Sequence, residues 1–297
     1  MTVGSLCTGI AGLEHGLTLA GLDTETVFVS DIDKGACTWL EANIAAPNLG
    51  DFTALEELPP VDILTAGFPC QPLSLAGLRK GVNDERWLFD DICRLVGRMG
   101  TQPLVFLENV PGLLTANDGH AMARVVHGLA AIGYNLDYGV VAASDIGACH
   151  RRLRWWGLAC PADTDPDDLR QYRSFPEPVR TEAALERAQD PDRLARFGRY
   201  APAIRRWETV LGRPIPHELT VGPTLLLDDR FCEWLMGYPE GYVTSSSLSR
   251  NRAIRALGNA VVPQCAAAAF TALAARVDDQ AADGKSQTPA ARSLTRW

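Results

Sequence analysis

Cys70 stands in Gly67-Phe-Pro-Cys-Gln-Pro, bracketed by Pro69 and Pro72. Each proline fixes its own φ and restricts the residue before it, while Gly67 permits close approach of another group. A thiol held in this way reads as a nucleophile, although a lone cysteine after an apolar run is more often a small buried hydrophobe. Glu108 follows Pro103-Leu-Val-Phe-Leu and opens Glu-Asn-Val-Pro-Gly. A thiol and a carboxyl at neighbouring strand ends pair a nucleophile with a proton donor. Arg152 and Arg154 lie in Gly147-Ala-Cys-His-Arg-Arg-Leu-Arg-Trp-Trp, the densest basic and aromatic cluster of the chain. On an extended segment, residues two apart share one face. A solvated charged face with both tryptophans in the core is the plainer alternative.

The elements that must position these groups alternate between strand and helix. Val61, Ile63 and Leu64 with Thr65 and Ala66 read as a buried strand of a parallel sheet, ending at Cys70. Thr2 to Cys7 reads as a first strand, followed by Thr8-Gly9-Ile10-Ala11-Gly12 and an amphipathic helix through Leu13, Leu17 and Leu19. A glycine turn there is where mononucleotide-binding α/β folds hold their ligand on backbone amides and the helix N-terminus. Thr26 to Val29 reads as a second strand ending at Ser30-Asp31-Ile32-Asp33. Asp31 is placed to accept from ribose hydroxyls, and Asp33 to cap the helix over 34–45. Asp51 and Phe52 follow in Gly-Asp-Phe, where Asp51 can contact an adenine amino group with Phe52 against the ring, or serve as a turn residue. Leu73 to Asp84 reads as a loop with Arg79, Lys80 and Arg86 nearby. Helices over 88–99 and 119–132 and strands over 103–107 and 134–143 continue the alternation.

A chain of 297 residues with 46% apolar content can bury a large core. No signal peptide and no span of membrane length is legible, so a soluble cytoplasmic protein is expected. Eight scattered cysteines without metal-ligand spacing argue against zinc and against a disulfide framework. The formal charge of −8 argues against a nucleic-acid partner, but arginine crowds the stretch from Arg151 to Arg213, so the expectation is a basic cleft in an acidic protein.

Ser-Leu-Cys-Thr-Gly-Ile-Ala-Gly, Ser-Asp-Ile-Asp, Gly-Asp-Phe-Thr, Gly-Phe-Pro-Cys-Gln-Pro, Glu-Asn-Val, His-Arg-Arg-Leu-Arg and Gly-Asn-Ala-Val-Val-Pro resemble, in order and spacing, the motif series of DNA cytosine-5 methyltransferases. The resemblance runs from about Gly4 to Ala274, with a gap between Pro161 and Val221. It implies an α/β fold of the S-adenosylmethionine-dependent, Rossmann-like type: a mostly parallel sheet with a small inserted target-recognition domain. It further implies that S-adenosylmethionine is the cofactor and double-stranded DNA the substrate, with no metal and no membrane, and the protein a monomer in the cytoplasm of a bacterium or of a phage's host.

By the same resemblance Cys70 attacks carbon 6 of a flipped-out cytosine, Glu108 holds and protonates the pyrimidine edge, and Arg152 and Arg154 favour thiolate and substrate anion. Cys7, Gly9, Ile10, Gly12, Asp31, Ile32, Asp51, Phe52, Pro69, Asn259 and Ala260 are the implied cofactor-binding residues. Several positions depart from the family pattern: Cys7 replaces an adenine-stacking aromatic, Ala11 a glycine, Leu73 a phenylalanine and His150 a glutamine. Residues 1–160 are expected to form the catalytic domain, 161–221 a short arginine-bearing recognition region and 222–277 a return segment, with 278–297 a polar, disordered tail. Phe231 to Thr244 reads as scaffold. An RNA cytosine-5 methyltransferase, a non-enzymatic S-adenosylmethionine-binding DNA regulator and a nicotinamide oxidoreductase are the competing readings. The arginine-bearing insert favours DNA over RNA, the full set Cys70, Glu108, Arg152 and Arg154 disfavours a regulator, and an oxidoreductase has no need of Pro-Cys-Gln.

Overall fold

Strands of a parallel sheet are buried on both faces, and the first, Thr2–Leu6 (β1), is buried from Val3 to Leu6 and sits between the second and third strands of the chain. The computed structural model describes residues 1–69, 87–164 and 194–282. Its main sheet has six strands in the order β2-β1-β3-β4-β6-β5, the others being Glu25–Ser30 (β2), Ile63–Gly67 (β3), Leu104–Asn109 (β4), Tyr134–Ala142 (β5) and Leu153–Pro161 (β6). Strands β1 to β4 pair in parallel, whereas β6 runs antiparallel to both β4 and β5. The reversed strand therefore begins on the edge where β1, β3 and β4 end.

Helices cover both faces. Gly12–Leu19 (α1), Lys34–Asn43 (α2), Ala201–Leu211 (α5), Asp229–Leu235 (α6), Arg250–Asn259 (α7) and Pro263–Ala282 (α8) contribute to one apolar cluster with Val3, Ile63 and Phe106. Phe89–Val96 (α3) and His120–Ala131 (α4) pack with Leu6, Leu64 and Leu107 on the other. Trp155 and Trp156 divide between the two, as the two-residue side-chain period of a strand requires. Trp156 stacks on Phe106, which meets Phe270 of α8 edge to face. Small residues on α8 let it lie close to α1, where a Cβ on Gly16 would overlap that of Ala266.

The sequence-based boundaries are close for the sheet and less so for the chain's later parts. Ile204 and Trp207 of α5 lie in the first apolar cluster with α1 and α8, so this part of the expected recognition region belongs to that core, and Trp207 is fully buried. Helix α8 continues through Ala282, past Asp278 where a disordered tail was expected to begin. Cys70, the loop to Asp84 with Arg79 and Lys80, Arg86, and the recognition residues from Asp165 to Arg193 lie outside the described residues. One helical stretch, Arg250–Arg276, is long and apolar enough to cross a membrane, but 61% of its most apolar window is buried in the protein, as in a core helix.

Candidate active site

The C-terminal ends of β1, β3 and β4 and the N-terminal end of β6 meet along one sheet edge. After β1 the backbone turns through Cys7 at φ 52°, Gly9 at φ 60° and Ala11 at φ 53°, and Ala11 caps α1. The turn is tied to the end of β2. Gly9 N–H donates to Asp31 Oδ2 at 2.7 Å, and Ser30 N–H donates to Thr8 Oγ1 at 3.1 Å. Asp31 Oδ1 accepts from the Asp33 amide at 2.8 Å, while Asp33 itself accepts from Gly35 and Ala36 and so caps α2 as its position suggested. Gly12 is required by approach rather than by φ, because a Cβ there would overlap the Tyr238 hydroxyl.

This edge fits a nucleoside cofactor. The space around a Cβ built on Gly9 is open to 4 Å, the Asp31 carboxylate faces the turn, and Ile32 is left 71% exposed at the strand end. An apolar side chain so exposed beside a glycine turn is a platform for a flat ring. Cys7 is pushed up to about 12 by burial and by Asp31 and Asp51, which brings those three residues together. Asp51 accepts from the Thr53 amide and hydroxyl, and Phe52 is 4% exposed in the second apolar cluster. Asp51 is thus already a turn residue.

On the other side of Gly67 lies the acid. Gly67 pairs with Glu108 across β3 and β4, and a Cβ built on Gly67 would stand 3.6 Å from Glu108 Oε2 and 3.8 Å from the Cys7 carbonyl. The cofactor turn, the strand that leads to Cys70 and the carboxyl are therefore immediate neighbours. Glu108 Oε1 is 2.8 Å from Arg154 Nε, with side chains 12% and 21% exposed. Burial raises the Glu108 pKa, opposed by Arg154 and then Arg152. The net direction keeps a proton on this carboxyl above the ordinary carboxylate range.

Both arginines lie near Glu108, and each also has a bonded partner of its own. Arg152 precedes β6 at φ 24°, and its Nη2 donates to the carbonyls of Gly258 and Ala260 at the end of α7. Burial and the neighbouring Arg154 pull its pKa down to about 10. Arg154, inside β6, instead serves Glu108. Asn259 is exposed and Ala260 half-buried beside this contact. His150 is held by the Leu235 carbonyl at 2.8 Å, and burial lowers its pKa. Pro69 is the last described residue before Cys70.

Other residues that shape the site carry no motif of their own. Buried Asn109 donates through Nδ2 to the Phe68 carbonyl at 3.2 Å, holding the backbone one residue before Pro69. Tyr242 donates to the Ile10 carbonyl and Tyr238 to the Val261 carbonyl, each at 3.1 Å. Glu233 accepts from the amides of Gly241, Val243 and Thr244 and orders the turn that carries both tyrosines. The segment read as scaffold is scaffold for the cofactor turn. Only aromatic residues beside Gly and Pro in Met-Gly-Tyr-Pro-Glu-Gly-Tyr hinted at it.

Fold and site together define an α/β protein of the nucleotide-cofactor-binding class, with an acid and its arginine partner beside the cofactor turn. Residues 1–201 match the model of the C-5 cytosine-specific DNA methylase family, and the chain belongs to that family. Type II methyltransferase M.MspI of a Moraxella species is 35% identical over 158 residues, 52% of this chain and 37% of that protein. Type II methyltransferase M.NgoBI of Neisseria gonorrhoeae is 31% identical over 220 residues, 70% of this chain and 68% of that protein. With M.MspI and similar relatives the chain spans little more than a third of the relative's length. Two crystal structures share the fold. The S. pombe Dnmt2 methyltransferase has a TM-score of 0.62 at 18% identity, covering 93% of this chain and 99% of that one. The Entamoeba histolytica methyltransferase EhMeth has a TM-score of 0.58 at 14% identity, covering 96% and 99%.

Proposed function

We infer that the protein methylates carbon 5 of cytosine in a specific duplex DNA sequence, with Cys70 as nucleophile and S-adenosylmethionine as methyl donor. The observation that carries this reading is the Glu108–Arg154 pair, set against Gly67, three residues before Cys70, and beside the cofactor turn. Family membership and relatives named as type II methyltransferases support DNA as the substrate.

The chemistry needs a cytosine extruded from the stack, because its ring is unreachable in the duplex. Cys70 sulfur adds to carbon 6, forming the S–C6 bond and moving an electron pair toward ring nitrogen 3. Glu108, whose pKa burial raises against Arg154 and Arg152, donates its hydrogen bond or proton to that nitrogen and removes the charge as it develops. Arg154 holds the carboxyl from one side and fixes its orientation. S-adenosylmethionine, when bound, would supply an electrophilic methyl group to carbon 5 and be released as S-adenosylhomocysteine. Loss of the carbon 5 proton to water, return of the nitrogen 3 proton to Glu108 and expulsion of Cys70 as thiolate then restore the aromatic ring. Gly9, Ile10 and Gly12 would hold the cofactor along the turn, with Asp31 toward the ribose, Ile32, Phe52 and Cys7 around the base, Asp51 near its edge, and Pro69, Asn259 and Ala260 closing the site.

The test is covalent trapping. Duplex DNA of mixed sequence containing 5-fluorocytosine is incubated with S-adenosylmethionine and the wild type or Cys70→Ser. Fluorine at carbon 5 cannot leave as a proton does, so a denaturing gel should show a protein–DNA band that Cys70→Ser lacks. Sequencing of the trapped DNA gives the target. A wild type that binds S-adenosylmethionine but traps no DNA, while methylating folded RNA, overturns the reading.

A further inference from the structure

Glu14 occupies the first turn of α1, where the neighbouring inward positions are Leu13 and Leu17, yet it is only 7% exposed. A carboxyl in that place is costly unless it is hydrogen-bonded. Its Oε1 accepts from the Thr65 hydroxyl of β3, and the Ser5 hydroxyl of β1 lies against the same carboxyl. Glu14 Oε2 and Ser5 Oγ are both buried and neither has a hydrogen-bond partner. Burial raises the Glu14 pKa, and the Thr65 and Ser5 hydroxyls act in the opposite direction.

The sequence positions of these partners connect the network to the site. Ser5 lies two residues before Cys7, Thr65 two before Gly67, and Glu14 two after Gly12. One carboxyl thus ties together the three segments that end at the cofactor turn and beside Glu108. The titratable groups facing it from the return segment are Tyr238 and Tyr242, which carry its charge among the causes of their own raised pKa values. His15, next to it on α1, lies against both tyrosine rings at 6.3 and 5.6 Å.

We propose that Glu14 is a positioning residue for cofactor binding, its carboxyl bonded to Thr65 of β3 and buried beside Ser5 of β1 so that the glycine turn keeps the shape S-adenosylmethionine requires. The proposal rests on the reading that this turn binds S-adenosylmethionine. A carboxyl serving stability alone would alter melting without a selective effect on cofactor affinity.

The experiment is titration calorimetry of S-adenosylmethionine into wild type, Glu14→Gln and Glu14→Leu at one neutral pH. Apo-protein melting is recorded on the same samples. Glu14→Gln, which keeps both a donor for Ser5 and an acceptor for Thr65, should bind within about two-fold of wild type. Glu14→Leu should bind about ten-fold more weakly, the loss expected from about 1.4 kcal/mol. If Glu14→Leu fails to fold, Ser5→Ala and Thr65→Val each remove one partner and should weaken binding several-fold. Unchanged affinity in a folded Glu14→Leu, or in both partner variants, overturns the role of Glu14. A folded wild type that binds no S-adenosylmethionine overturns the cofactor reading itself, a different result from tight binding that ignores Glu14.

Discussion

Arg152 and Arg154 stand two residues apart and serve different partners: Arg154 Nε lies 2.8 Å from Glu108 Oε1, whereas Arg152 Nη2 binds the carbonyls of Gly258 and Ala260. Arg152 turns its backbone to φ 24° just before β6 begins. Arg154 is bonded to the acid, and Arg152, close enough to lower the pKa of the same carboxyl, also fastens the returning C-terminal segment to the sheet.

Substitution should separate these tasks. Arg154→Ala is expected to lower single-turnover methyl transfer about 100-fold, the scale of removing one group that stabilises developing charge, with cofactor affinity changed little. Arg152→Ala should cost about 2–4 kcal/mol in urea denaturation, because two charge-assisted hydrogen bonds to the end of α7 are lost. Equal losses of activity and stability in both variants would contradict the division.

The acid gives a pH signature with a definite sign. Burial raises the Glu108 pKa against the pull of Arg154 and Arg152, so the protonated form persists above the ordinary carboxylate range and is lost as the pH rises through the folded value. The single-turnover rate should therefore decline on that rising limb. In Arg154→Ala, which removes the nearest positive charge, the decline should move to higher pH even though the rate itself is lower. Any stability that this protonated carboxyl contributes is likewise present at low pH and lost as the pH rises.

Asn109 holds the Phe68 carbonyl from inside the core. Asn109→Ala leaves that buried group unpaired, so a loss of about 1–3 kcal/mol in denaturation is expected. The yield of the Cys70 trap should fall with it, since Phe68 and Pro69 lead directly to the nucleophile. Trapping at the wild-type rate in a destabilised Asn109→Ala would show that the bond matters to folding alone.

Tyr242→Phe removes one hydrogen bond to the Ile10 carbonyl and leaves the ring packed on Trp39 at 4.9 Å. Cofactor affinity by calorimetry should fall about five-fold, corresponding to about 1 kcal/mol, with the rate at saturating cofactor unchanged. A fall in that rate at unchanged affinity would place the tyrosine's effect elsewhere.

The residue order by itself determined the strands that end at the site, the glycine turn, the Asp33 cap and the position of Glu108 at the end of β4. Those are local matters, because apolar run length, proline and glycine restrictions and side-chain capping act over a few residues. The scaffold reading of Phe231 to Thr244 was also legible, though not that its tyrosines would reach Ile10 and Val261. The tertiary structure alone decided that β6 runs backwards, which carries Arg154 to the edge where Glu108 ends. It alone turned Arg152 toward residues 106 and 108 positions away and brought Thr65 to Glu14 across 51. No spacing in the sequence encodes such meetings, because strand direction and the pairing of buried polar groups are settled by which distant surfaces pack together, and each buried donor or acceptor must then find its partner there.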